Sequence, residues 1–269
     1  MSAIEEKYRN LKKIIKEIGS AVVAYSGGVD STFLVKVTHD GLKEKMAALT
    51  AASPLYPSFE LEESKKLAKD IGARHLIIES DELKLDGFSQ NTRDRCYYCK
   101  KELFRICREK AEELGFSHVL DGTNFDDLND FRPGTKAAQE SGVRRPLLEA
   151  ELTKNDIREL SKKLGLKTWD KPSFACLSSR FPYGTEITRE KLEMVGRGEE
   201  QLRKLGFKQF RVRYHNEVAR IEVGKEEIAK FLENGNRDLI VKKFKEYGFT
   251  YIALDLQGYR TGSLNEGID

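Results

Sequence analysis

Residues 20–31 read Ser20-Ala21-Val22-Val23-Ala24-Tyr25-Ser26-Gly27-Gly28-Val29-Asp30-Ser31. The apolar run 20–26 is too short for a buried helix. It ends on two glycines, and a helical pattern begins near Ser31, so the stretch predicts a buried strand, a loop and a helix in succession. Upstream, Ile4, Tyr8, Leu11, Ile15 and Ile18 recur at helical spacing with charges on the other face, an amphipathic opening helix. Downstream the alternation repeats: MAALTAAS (46–53), a helix over about 58–71, ARHLIIES (73–80), a helix over about 97–114, then SHVLDGTN (117–124). Strands alternating with helices define an α/β fold with a doubly wound parallel sheet.

A length of 269 residues with 39% hydrophobic content exceeds the need of one core and excludes a disordered chain. After VRRPLLE (143–149) and a helix near 153–164, Thr168-Trp169-Asp170-Lys171-Pro172-Ser173 breaks the pattern. The domains are therefore set at 1–170 and 171–269. The second reads as a small α+β domain: a helix to about Leu205, alternating strands FRVRYH and EVARIEV, a helix from about Lys225 and a last strand FTYIALDL. Forty-seven basic residues against 44 acidic ones leave +3, which gives no global case for nucleic acid. No apolar stretch approaches membrane length, and the charged N-terminus lacks a signal peptide's apolar core, so the expected location is the cytoplasm.

Within the opening loop, Gly27 and Gly28 let the backbone approach a ligand, and the amides of the next helix point at it, an anion cradle. Ser26 and Ser31 add hydroxyls, and Asp30 is placed to hold a magnesium ion riding on phosphates. A bare Gly-Gly would suit an ordinary turn; the whole Ser26–Ser31 string between strand and helix favours a nucleotide. A Walker A sequence is absent, since Gly224-Lys225 is followed by Glu226. Asp121-Gly122-Thr123-Asn124 ends a later strand, where ligands bind in open α/β sheets, although it also suits a turn.

Cys96 and Cys99 form a C-x-x-C, Cys107 follows, and Cys176 stands apart in KPSFACLSSRFPYG (171–184). In a reducing compartment this points to metal binding or thiol chemistry. Cys107 continues the apolar spacing of Phe104, Ala111 and Leu114 and reads as core. The remaining three thiolates, with a vacant fourth position, suit a [4Fe-4S] cluster with one open iron able to bind sulfide. On the strand FRVRYH, Arg211, Arg213 and His215 share one face, either a phosphate grip or a solvated outer face.

SGGVDS in this context resembles the PP-loop ATP pyrophosphatase superfamily. That resemblance implies that Ser26, Gly27, Gly28, Val29, Asp30 and Ser31 hold ATP, with adenine read at the end of the second strand near Ser53, and with Thr123 and Asn124 at the next edge. RCYYCKKELF, DGTNFDD followed by RPG, GVRRPLLE, KPSFACLSSRFPYG and LDLQGYRTGSL together resemble the LarE family, the sulfur-inserting enzymes of nickel-pincer nucleotide cofactor synthesis. The resemblance covers essentially the whole chain. It implies adenylation of carboxylates on a pyridinium dicarboxylate mononucleotide, with magnesium, and their conversion to thiocarboxylates. It also implies substrate contacts from Arg211 and Arg213, with Arg180 and Glu200 as further candidates. A homo-oligomer is expected because the small C-terminal α+β domain gains from burying a face. In sacrificial members a cysteine at the position of Cys176 gives up its sulfur. Here Cys96 and Cys99 favour cluster-bound sulfide from a source the sequence does not name. The rivals are a tRNA thiolase or amide-forming synthetase of the same superfamily, and an ATP-sensing module without turnover.

Overall fold

The computed structural model describes residues 2–129, 133–172, 175–233, 235–260 and 263. Parts of the motifs above, namely Arg132, Ser173 and Phe174, and Thr261, Gly262 and Leu264, lie outside the described residues. The chain divides into two compact units. The first comprises Met1–Ser53, Ser58–Leu85 and Asp94–Phe174; the second comprises Pro54–Pro57, Asp86–Arg93 and Ala175–Asp269.

In the first unit the order is α1 (Ala3–Ile18), β1 (Ala21–Ala24), α2 (Val29–Leu42), β2 (Met46–Ala52), α3 (Ser58–Ile71), β3 (His75–Glu79), α4 (Arg95–Glu113), β4 (His118–Leu120), α5 (Pro133–Glu140), α6 (Pro146–Glu149) and α7 (Lys154–Lys163). The strands form one parallel sheet in the order β3-β2-β1-β4. Every residue of β1 is buried. Because side chains alternate across a strand, Val23 joins Leu11, Ile15, Phe33 and Ile157 on one face, while Val22 joins Phe104, Cys107, Val119 and Ala137 on the other. A sheet covered on both faces by helices is what makes the opening run continuously apolar rather than alternating. Ser2 and Thr153 begin α1 and α7 with capping boxes.

The second unit contains α8 (Arg189–Lys204), β5 (Phe210–His215), β6 (Val218–Val223), α9 (Asn236–Glu246) and β7 (Tyr251–Leu254). Its sheet runs β5-β6-β7, antiparallel then parallel. Asn216, at φ 56°, makes the tight turn between β5 and β6. Gly198 lets α8 approach α9: a Cβ there would stand 3.1 Å from the Phe244 ring. The helix expected from Lys225 is instead a 3₁₀ stretch, Lys225–Leu232, with α9 starting afresh after Gly235 in the left-handed region. The reason is Glu227, whose buried carboxylate accepts the Lys208 and Gln209 amides at 3.0 Å and draws this segment onto the start of β5. No helix among the described residues is long and apolar enough to cross a membrane.

Asn91 shows how the second unit closes on residues far apart in sequence. It is fully buried, sits at φ 55°, and its Nδ2 donates to Phe181 O and Pro182 O at 3.3 and 2.7 Å. Asn91→Ala strands one buried and one part-buried carbonyl and leaves alanine in a left-handed conformation. The expected loss is about 2–4 kcal/mol, read as a melting temperature lower by roughly 4–12 °C.

Candidate active site

The turn from β1 to α2 is braced by its own serines. Ser26 Oγ and Ser31 Oγ lie 3.0 Å apart, the Ser26 amide donates to Ser31 Oγ at 3.3 Å, and Ser31 Oγ donates to Gly28 O at 3.3 Å. Gly27 sits at φ 73°, pressed so closely on α3 that a Cβ would meet Ser64 Cβ at 3.0 Å. Gly28 is the N-cap of α2 and offers no side chain to its first turn. The first backbone bond back to it comes only from Thr32 at 2.9 Å, so the amides of Val29, Asp30 and Ser31 have no acceptor within the helix. Uncapped amides with the helix dipole behind them favour an anion.

Asp30 enters from this first turn. Its Oδ2 accepts from Lys154 Nζ, while its Oδ1 is buried without a hydrogen-bond partner. Burial raises the Asp30 carboxyl above the ordinary range, against the opposing charge of Lys154. A buried carboxylate oxygen lacking a partner suits a hard cation, so the residues fit magnesium, with Lys154 as the cation already in place.

The end of β4 lies against the same helix start. A Cβ on Gly122 would stand 3.2 Å from the Ser31 nitrogen, so only glycine permits the approach. Beside it, Asp121 is buried, accepts from Lys100 Nζ at 2.7 Å and from the Thr123 amide at 2.9 Å, and is also bonded by the Thr123 hydroxyl. Burial alone would lower Lys100 and raise Asp121; their ion pair reverses both. Asn124 spends its side-chain oxygen on the Asp126 amide at 2.9 Å, closing a turn. Ser53 follows directly on β2, where Thr50 Oγ1 donates to Tyr25 O at 2.8 Å.

Cys96 and Cys99 lie at the start of α4, exposed and half-buried. Gly134, of the RPG segment, packs there: its Cβ would meet Lys100 Cγ at 3.0 Å and Cys96 O at 3.7 Å. Cys107 is wholly inside, and burial pushes its thiol up to about 12. Cys176 belongs to the second unit, half-buried, with Sγ 2.9 Å from Ser178 Oγ. Among the described residues, no group of three or more His, Cys, Asp or Glu side chains is placed to hold a metal ion.

In the second unit Arg180, Arg211 and Arg213 face inward. Arg180 is 0% exposed: Nε and Nη2 grip Glu199 at 2.6 and 3.0 Å, and Nη1 donates to Ala175 O and Ser179 Oγ at 3.1 and 2.6 Å. Glu199 also accepts the Val212 amide at 3.0 Å, joining the cysteine turn to α8 and β5. Arg213 bonds Glu222 and Ser263 at 2.9 and 2.8 Å and leaves its Nε buried without a partner. Arg211 donates to Phe210 O at 2.8 Å and lies over the Tyr259 ring; burial and the nearby Arg180 charge lower its hold on its proton. The basic face of β5 is therefore covered, not a solvated outer face. Glu200, by contrast, pairs at the surface with Arg203 at 2.8 Å. Sequence reasoning missed Glu199, Lys154 and Lys171, whose partners are remote in the chain.

A parallel sheet whose central strand delivers SGGVDS to an uncapped helix start is the PP-loop ATP pyrophosphatase fold. The chain is 26% identical over 213 residues to one chain of the glutamine-hydrolysing GMP synthase of Archaeoglobus fulgidus, covering 71% of this chain and 66% of that one. No protein-family model matches the chain. It is 38% identical over 267 residues, 99% of its length and 96% of the relative's, to the pyridinium-3,5-bisthiocarboxylic acid mononucleotide synthase of Lactiplantibacillus plantarum. It is 45% identical over 262 residues, 97% and 98% of the two chains, to an uncharacterised protein of Synechocystis sp.. The chain belongs to the pyridinium-3,5-bisthiocarboxylic acid mononucleotide synthase family, LarE.

The raised Asp30 carboxyl fixes the sign of a pH effect. The folded chain binds that proton more tightly than the unfolded chain, so ionisation costs stability. The cost is absent well below the unfolded value of about 3.9, grows through the window up to the raised folded value, and then stays constant. Asp30→Asn is expected to raise the melting temperature at pH 7 without added nucleotide, with the gain vanishing near pH 3. Melts of both proteins across that range check it.

Proposed function

We propose that the chain is an ATP-dependent sulfur transferase that converts carboxylates of a pyridinium dicarboxylate mononucleotide to thiocarboxylates for nickel-pincer cofactor synthesis. The observation that carries this reading is the uncapped start of α2 behind Gly27–Gly28, with the partnerless Asp30 oxygen beside it, in a chain of this family. ATP lies with its phosphates on the Ser26–Ser31 amides and its adenine near Ser53, with Thr123 and Asn124 at the neighbouring edge. Asp30 holds magnesium, which supplies charge neutralisation on the phosphates. A substrate carboxylate oxygen attacks the α-phosphorus, the bond to the bridging oxygen breaks, and pyrophosphate leaves with that electron pair, stabilised by the loop amides. A sulfur nucleophile then attacks the acyl carbon and AMP departs, leaving the thiocarboxylate.

The substrate phosphate is assigned to Arg211 and Arg213. Three arginines, Arg180, Arg211 and Arg213, stand there against Glu199 and Glu222, an excess of positive charge that suits an anion. Arg180 serves that site as the fixed partner of Glu199, and Glu200 is proposed as a further substrate contact. The second unit is also assigned oligomerisation, with Leu232, Tyr251 and Leu256 as exposed apolar surface. The enzyme is placed in the cytoplasm.

For the sulfur, Cys96, Cys99 and Cys176 would ligate a [4Fe-4S] cluster, which would supply sulfide at its open iron. The donor chemistry supports this: these three thiols have access to the surface and Cys107 does not. A second reading is loss of sulfur from Cys176 itself, a half-buried thiol beside Ser178 Oγ at 2.9 Å.

Pyrophosphate release that depends on the dicarboxylate mononucleotide tests the activity; release with no added carboxylate, or none at all, would reject it. Anaerobic protein should carry a visible absorption that is lost on replacing Cys96, Cys99 or Cys176 with alanine and kept with Cys107→Ala. A colourless enzyme that makes one thiolated product per chain, with Cys176 lighter by hydrogen sulfide, selects the sacrificial route. Iodoacetamide at pH 8 should alkylate the apoprotein at Cys96, Cys99 and Cys176 and spare Cys107, which is shut off from solvent and whose thiol is kept protonated by burial.

A further inference from the structure

Lys171 opens the KPSFAC segment, and its side chain is nearly covered, at 13% exposure. Its three donors are all spent: on Glu60 Oε2 at 2.8 Å, on Glu63 Oε2 at 2.9 Å and on the Gly27 carbonyl at 3.3 Å. Glu60, Glu63 and Ser64 share one face of α3, and Ser64 is the residue that Gly27 presses against. That face is thus the floor of the loop, and Lys171 bolts the loop to it.

The bolt acts on the most rotatable peptide in the loop. Between two glycines no Cβ resists a flip that exchanges the directions of C=O and N–H. In a trans peptide the two point oppositely. With Gly27 O turned to Lys171, the Gly28 N–H points the other way, where Ser26 Oγ accepts it at 3.4 Å. A flipped peptide would aim a carbonyl lone pair where a phosphate oxygen must sit. Direct phosphate binding by Lys171 does not fit the geometry, since two carboxylates already surround it and leave a net negative charge beside the anion site.

We infer that Lys171 is a positioning residue for nucleotide binding: its ammonium holds the Gly27–Gly28 peptide with the carbonyl outward and the amide toward the phosphates. This rests on the loop being the ATP site. Losing the hold divides the loop between two peptide orientations, and apparent affinity falls by the fraction competent to bind.

The test measures Mg-ATP binding by calorimetry, and KM and kcat for pyrophosphate release, with folding followed by circular dichroism. Lys171→Met should raise the Kd and KM for ATP about tenfold or more, with kcat at saturating ATP and KM for the mononucleotide within about threefold of the parent. Lys171→Arg, which keeps charge and donors, should restore ATP binding to within about threefold. The variant combining Glu60→Gln, Glu63→Gln and Lys171→Met removes the charges and the hold together, and strands no buried carboxylate if Lys171→Met alone fails to fold. Continued weak ATP binding in it supports positioning. Recovery to the wild-type Kd would show that local charge alone mattered and overturn the proposal, as would unchanged ATP binding in Lys171→Met. A wild type that binds no ATP overturns the loop assignment and the inference together, whereas the preceding outcomes sink the inference alone.

Discussion

The first unit is organised by two backbone approaches that leave no room for a side chain. Gly122 brings the end of β4 to within contact of the α2 start, and Gly27 rests on Ser64 of α3. Between them the Ser26–Ser31 turn has little freedom, and its amides are oriented before any ligand arrives. Such preorganisation matters for adenylation, because donors that need not reorganise stabilise departing charge most effectively. The fully buried β1 makes those approaches possible, since its burial fixes the height at which the turn emerges from the sheet.

The second unit is held by charge as well as by apolar packing. The Arg180–Glu199 pair is wholly buried, and desolvating two ions is costly unless each remaining donor and acceptor finds a partner. Here Ala175 O, Ser179 Oγ and the Val212 amide supply them. The same pair fixes the turn that carries Cys176, so its rigidity is imposed on a thiol whose position counts. Removing either partner alone would leave a buried charge, a heavier penalty than replacing both.

Much of this was legible in the sequence, for reasons of period. The helix over residues 58–71 and the strand before Gly27 follow from apolar spacing alone. The alternation of FRVRYH showed that Arg211 and Arg213 share a face, but not that the face is covered, because a period does not reveal what packs above it. Glu199 and Glu200 stand about 100° apart around α8, and the Arg203 spacing draws attention to Glu200 although Glu199 is the interior one. Lys171 lies in a stretch that marks a boundary by its proline and turn residues; its carboxylates lie 111 and 108 residues earlier, beyond any local pattern. The 3₁₀ stretch after Gly224 was hidden likewise, since Glu227 serves amides that precede it by 18 and 19 residues.

The route of the chain has a consequence for synthesis. Residues 54–57 and 86–93 leave the first unit and return, so the backbone passes between the units five times. A nascent chain can complete the parallel sheet of the first unit once β4 has emerged, yet Asn91 must wait for Phe181 and Pro182, which are made 90 and 91 residues later. Until then residues 54–57 and 86–93 wait for the rest of the second unit. Nor can a cut at a single junction lift out either unit.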